Sequence, residues 1–317
     1  MVIFHFMKHS TIIVLILLFC SCKTKPKENV YIPDIANFST NLAFSNQGKI
    51  YYYTIDKKQL SIINDGYDPN ISPDGCYLAY TDYYKSENQN AAGSNRRIAI
   101  LNLKNGIKKI IAFPSEQCYG PVWSNDGTQL AFCVFVNGKW NIALSVNDKV
   151  IKILSPEFDC NSISWTADNK SILTHTLDTI FIIDTSNIIK SKIAITEISN
   201  SINRSSAVTF TMTTDNRYLI FNASNNNASF CTENEYHTDN PYAIFKYDLK
   251  GRKLTKLTPN DLFCGDYTVI DDLVYFSASP KCNSHQPNIY SISLTGQNIK
   301  EFLKNATGIS LTKKNGT

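Results

Sequence analysis

Several things are scarce in this chain, and each scarcity removes a class of function. There is no Gly-x-Ser-x-Gly elbow, no phosphate-binding glycine loop and no His-Glu-x-x-His pair. The sequence therefore offers no serine-hydrolase, P-loop or zincin signature. Of its 5 histidines, only His175, His237 and His285 lie beyond the first residues. Charge of either sign is modest: 31 Lys and Arg against 27 Asp and Glu, a formal net charge of +4. So small and dispersed an excess is not a nucleic-acid footprint, and no nucleic-acid partner is expected. Beyond the N-terminal leader, no stretch is long and apolar enough to cross a bilayer as a helix.

The single long apolar run, Ile12–Phe19, follows Lys8 and His9 and is too short to span. It reads as the core of an export leader. It ends in Phe19-Cys20-Ser21-Cys22-Lys23. A small residue before a cysteine, just after an apolar run, resembles the lipobox of bacterial lipoproteins. The resemblance implies a leader over residues 1–21, lipidation of Cys22 and attachment to a membrane through that lipid. The competing readings are a simple signal peptide or an uncleaved anchor. Residues 22–39, with Lys23, Lys25 and Lys27, read as a solvated tether.

What the chain has in quantity is 17 Tyr, 17 Phe and many Asn, a mixture of strand formers and turn formers. These residues recur in a pattern. Asn70-Ile71-Ser72-Pro73-Asp74-Gly75-Cys76-Tyr77-Leu78-Ala79-Tyr80 is repeated as Val122-Trp123-Ser124-Asn125-Asp126-Gly127 leading to Leu130-Ala131-Phe132. It recurs around Trp165 to Leu173, around Phe210 to Phe221, and in shortened form from Val269 to Phe276. Each copy predicts a β-hairpin whose Asp-Gly or Asp-Asn turn tolerates positive φ. A second hairpin follows each, so every repeat predicts a four-stranded sheet, and a series of such sheets predicts a propeller. The second-strand anchors Leu42, Leu78, Leu130, Ile172, Leu219 and Val274 count six blades.

Ser72-Pro73-Asp74-Gly75 with its Leu-Ala-Tyr flank resembles the TolB-type propeller repeat, and the likeness runs over about residues 40 to 313. Elsewhere Asn125, Ala167 and Thr214 stand where the family has Pro. The fold expected is all-β, a six-bladed propeller over residues 40–317. The first blade lacks an inner strand of its own. Gly308-Ile309-Ser310-Leu311-Thr312 resembles Ser162-Ile163-Ser164-Trp165-Thr166, so the C-terminal strand is expected to close the ring by pairing into blade one. The rival is a strand from Pro33–Asn37.

Seven cysteines follow Cys22: 76, 118, 133, 160, 231, 264 and 282. Cys118, Cys160 and Cys264 are expected at equivalent places on one end of the ring. Cys231–Cys282 or Cys264–Cys282 are the candidate bridges, and Cys76 and Cys133 are read as buried free thiols on strands. Asp74, Asp126, Asp168 and Asp215 are read as turn residues, since one carboxylate per blade cannot supply the oxygens of a calcium site. The insertion Tyr83–Arg97 is read as a plain loop. The insertion Ser224–Asn240 is the candidate binding loop, through Phe230, Glu233, Glu235, Tyr236 and His237. One TolB-like group, the oligogalacturonate lyases, holds a metal through His and Gln in the channel. That likeness invites comparison with His237, His285 and Gln286, but the sequence clusters no such ligands.

The reading is a lipid-anchored, monomeric scaffold that binds other proteins of the cell envelope, facing the periplasm or the exterior. No catalytic residue, metal or cofactor is assigned. The alternative is a propeller that binds or cleaves polysaccharide.

Overall fold

The computed structural model describes residues 39–63, 65–84, 95–113, 115, 117–203, 205–224, 242–280 and 287–312. Six antiparallel four-stranded sheets follow one another along the chain as the blades of a propeller. The inner strands of blades two to six are Gly66–Ile71, Cys118–Trp123, Asn161–Trp165, Phe210–Met212 and Phe263–Ile270. Blade one takes its second, third and outer strands from Leu42–Asn46, Lys49–Thr54 and Gln59–Ile63. Its inner strand is Thr307–Leu311, paired through Leu42↔Leu311 and Ala43↔Ser310. The ring is closed by the C-terminal strand, and the place offered to Pro33–Asn37 is filled.

The six anchors read from the sequence all sit on second strands and are at most 1% exposed. A second strand has a neighbouring blade on each face, so both faces lose water. Leu130–Val134 is buried at five successive positions for this reason. The short turn that follows each inner strand is the same device four times. In blade three the Ser124 hydroxyl donates to Asp126 Oδ1 (2.6 Å) and accepts from the Gln129 N–H, while Thr128 N–H donates to the same carboxylate. Ser72/Asp74, Thr166/Asp168 and Thr213/Asp215 repeat it. The next position takes positive φ at Gly75, Gly127, Asn169 and Asn216, which is why Gly or Asn recurs there. Blade six makes the shortened turn, with Asp271 at φ +51°.

Blade one makes the same closure without a connecting chain. Thr312 occupies the place of Ser124, and its N–H donates to the Asn41 carbonyl (3.0 Å), as Ser124 N–H does to Gln129. Polar residues near the inner-strand ends then tie blade to blade. Ile71 N–H donates to Ser310 Oγ, Trp123 N–H to Asn70 Oδ1, and Ser164 Oγ donates to the Phe210 carbonyl.

Two details differ from the sequence reading. Cys76 lies in the turn just ahead of its strand and is exposed, because the Ser-x-Asp turn holds its N–H on the Asp74 carboxylate at the ring surface and its Sγ beside the Asp74 carbonyl. One helical turn, Ile195–Ile198, joins blades four and five and buries Ile195 and Ile198. Among the described residues, no helix is long and apolar enough to cross a membrane.

Candidate interaction surface

Second-to-third connections and blade-to-blade crossings share one face of the ring. On blades two and three this face carries a cluster of aromatic rings and arginines. Tyr119 ends against Trp140 at 4.8 Å, ring to ring and nearly perpendicular, and Phe135 meets Trp140 at 5.2 Å. The Arg96 guanidinium lies 4.9 Å from the Tyr119 ring and 5.5 Å from that of Trp140. Its Nε donates to Gln117 Oε1 at 2.9 Å, which fixes the plane of the fork. Beside it, Arg97 stacks 4.4 Å above Tyr84 and pairs with Asp82 at 2.8 Å. Lys108 shares the buried Asp82 carboxylate at 2.7 Å, so that group is fully committed. Tyr67 packs edge-on against Tyr83 at 4.8 Å. Tyr67 and Phe135 each remain 41% exposed. The result is a rigid, partly solvated surface of Tyr, Trp, Phe and Arg.

This site was not anticipated. The stretch Tyr83–Arg97 reads as a loop because it is rich in Asn, Ser and Gly. The second strand in fact runs to Tyr84 and the third starts at Asn95, so Tyr83, Arg96 and Arg97 are strand residues. The missed signal is the pairing of Tyr83-Tyr84 with Asn95-Arg96 across the insertion.

Toward the axis, the inner strands carry bulges. They fall between Tyr67 and Asn70, Tyr119 and Val122, Asn161 and Ser164, and Cys264 and Tyr267. Asp68 sits on one, at φ +51°, accepting a bond from Thr81 Oγ1 (2.8 Å). Asp266 sits on another. It is exposed to solvent. Desolvation by the surrounding strands, with the charge of Asp68 added, pushes its carboxyl above the usual carboxylate range. Among the described residues, no three His, Cys, Asp or Glu side chains come together as metal ligands do.

Cys118, Cys160 and Cys264 occupy equivalent buried positions at the start of their inner strands, and Cys133 is buried on its strand. Cys22, the loop residues Phe230, Glu233, Glu235, Tyr236 and His237, and Cys231, Cys282, His285 and Gln286 lie outside the described residues. His175 is fully buried, its ring nitrogens facing the Thr176 (2.8 Å) and Val208 (2.7 Å) carbonyls.

TolB from Acinetobacter baumannii superposes with a TM-score of 0.60 over 87% of this chain and 67% of its own, at 15% identity. The fold is that of the TolB propeller. A protein assigned as TolB from Agrobacterium tumefaciens gives a TM-score of 0.58, covering 86% of this chain and 92% of its own at 16% identity. A propeller in a nidogen–laminin complex gives 0.60 at 9% identity. Identities this low establish the TolB-like architecture and nothing finer. No protein-family model and no curated protein sequence matches the chain.

Proposed function

We propose that this protein is an exported, lipid-anchored propeller that serves as a scaffold for protein contacts in the cell envelope, and that it is not an enzyme. One observation carries the reading: the Arg96–Tyr119–Trp140 cluster with its exposed neighbours Phe135 and Tyr67. Tyr, Trp and Arg are the residues that dominate protein-binding hot spots. Here they are held in place before any partner arrives, which lowers the ordering cost of association. Anchoring through Cys22 would present the ring at a membrane surface, and the TolB-like architecture is consistent with an envelope setting.

The test has two arms. A photo-crosslinking residue at Phe135 in the intact cell should capture a discrete partner, and Trp140→Ala or Arg96→Ala should abolish that product while the protein stays folded. Capture unaffected by both substitutions would refute the surface. Separately, fatty-acid labelling should be lost in Cys22→Ser, and equal labelling of both forms would refute the anchor.

A further inference from the structure

The opposite face, which carries the Ser/Thr-x-Asp turns, holds a cleft of about 390 Å³ between blades two and three. That volume lies within the range of small-molecule sites. The junction is unlike its neighbour. Between blades three and four, Trp165 Nε1 donates to the Val122 carbonyl at 3.0 Å and seals the seam. The matching indole, Trp123, has its Nε1 buried with no hydrogen-bond partner, although its backbone N–H bonds Asn70 across the seam, and the cleft opens beside this ring.

The walls are apolar rings. Tyr77 (39% exposed) and Trp123 stand 6.2 Å apart, tilted by 39°, with Ile107 (57% exposed) beside them. The polar lining includes three amides beside the hydroxyls of Thr128 and Ser145 and the charged Asp74, Lys109 and Asp148. Asn102 Oδ1 accepts the N–H groups of Lys104 and Asn105, and Asn105 Oδ1 accepts that of Ile107. Both carbonyls are thus committed to the backbone, leaving the NH₂ ends as donors. Asn147, at φ +49° in the turn of blade three, adds a third amide. Asp74 Oδ1 is committed to Ser72 and Cys76, and its second oxygen is left as an acceptor.

Charge narrows the choice of ligand. Lys109 and Asp148, both lining the cleft, pair with one another. A committed ammonium does not recruit an anion, and with Asp74 the lining carries one net negative charge, which disfavours an anion further. What remains is a surface of aromatic faces with both donors and acceptors. That combination suits a ring bearing apolar C–H faces and hydroxyls that donate and accept at once.

We propose that the cleft formed by Tyr77, Trp123, Asn102, Asn105, Asn147 and Asp74 binds an uncharged saccharide unit. The site lies on the far side of the ring from the Arg96–Trp140 cluster and is independent of it. Tryptophan emission of the folded protein is titrated with the uncharged trisaccharides chitotriose and cellotriose, and with trigalacturonate and trilysine. The expected result is a saturable change with at least one uncharged trisaccharide, insensitive to salt. Tyr77→Ala should weaken it by about tenfold through loss of the ring face. Asn147→Gly, which keeps the positive φ while removing the amide, should weaken it by about threefold to tenfold. Leu177→Ala, on exposed blade-four surface, should leave it unchanged. Three results would overturn the proposal: no response to either uncharged trisaccharide up to roughly 10 mM, binding untouched by both cleft variants, or tighter binding of trigalacturonate or trilysine.

Discussion

Ile309 and Ile163 occupy matching places on inner strands and are almost equally buried, at 5% and 6% exposed. Ile163 belongs to a strand joined to its neighbour by the Thr166/Asp168 turn. Ile309 belongs to the closing strand, which has no such connection to Leu42–Asn46. Replacing either by Ala removes the same atoms from the same kind of site and should cost about 2–5 kcal/mol. Against a total stability of about 5–15 kcal/mol this is large. At a cost near 3 kcal/mol, Tm should fall by roughly 6–12 °C for a domain of this size. The two variants should differ in where the loss shows. In Ile163→Ala it appears in global unfolding. In Ile309→Ala the closing strand can also detach alone, so hydrogen exchange at the Leu42–Asn46 amides should accelerate more than at other second strands. The measurement is urea denaturation together with native-state exchange. A cost under about 1 kcal/mol for Ile309→Ala, or unchanged protection of Leu42–Asn46, would show that residues 307–311 are not seated in blade one.

Three further outcomes are expected. Tyr267 donates its partly buried hydroxyl between the Ile220 (2.7 Å) and Thr209 (2.9 Å) carbonyls of the preceding blade, so Tyr267→Phe should cost about 1 kcal/mol in urea melts. Burial holds the His175 imidazole below its usual range, against the pull of the Thr176 and Val208 carbonyls. The unfolded chain then binds a proton that the fold resists. Stability should be full above about pH 6.5 and fall below it at up to about 1.4 kcal/mol per pH unit. His175→Gln should flatten that window, and an identical slope in the variant would assign the dependence elsewhere. Burial pushes the Cys118 and Cys264 thiols up to about 11 and those of Cys133 and Cys160 up to about 12. Among the described thiols, peptide mapping after alkylation at neutral pH should find exposed Cys76 modified first, and the other four only on unfolding.

The blade count and the ring closure were legible because each rests on short-range chemistry. The Asp-Gly and Asp-Asn turns force a chain reversal, and the doubly covered second strands lose their polar alternation. The likeness of residues 308–312 to 162–166 works for the same reason, since both end in a hydroxyl residue that caps the inner strand. The inner-strand bulges were not legible: Asp68 and Ser162 take positive φ without being glycine, for reasons of fit around the axis that no local pattern encodes. The turn of helix at Ile195–Ile198 carries half a signal. Glu197 reaches back to the Ala194 N–H, but Ala194 has no side-chain oxygen to return the bond. The Arg96–Tyr119–Trp140 cluster joins residues from two blades, and its members are ordinary strand residues until the blades are set side by side. The cleft is hidden for the same reason, being a property of one seam and not of any segment.

The way blade one is completed also sets an order of events during synthesis. Leu42, Ala43 and Phe44 emerge early, but the strand that covers their inner edge comes only after the other five blades. The contact between Thr40 and Thr312 spans 272 positions. Closing so long a loop costs about 5 kcal/mol of chain entropy, well above that of a local hairpin. Blades two to six can each form as they appear, whereas the first blade to be made is the last to be finished. Throughout that interval an apolar strand edge stands open to pairing with another chain. Among the described residues, that inner edge of blade one is covered only once Thr307–Leu311 pairs with Leu42–Asn46.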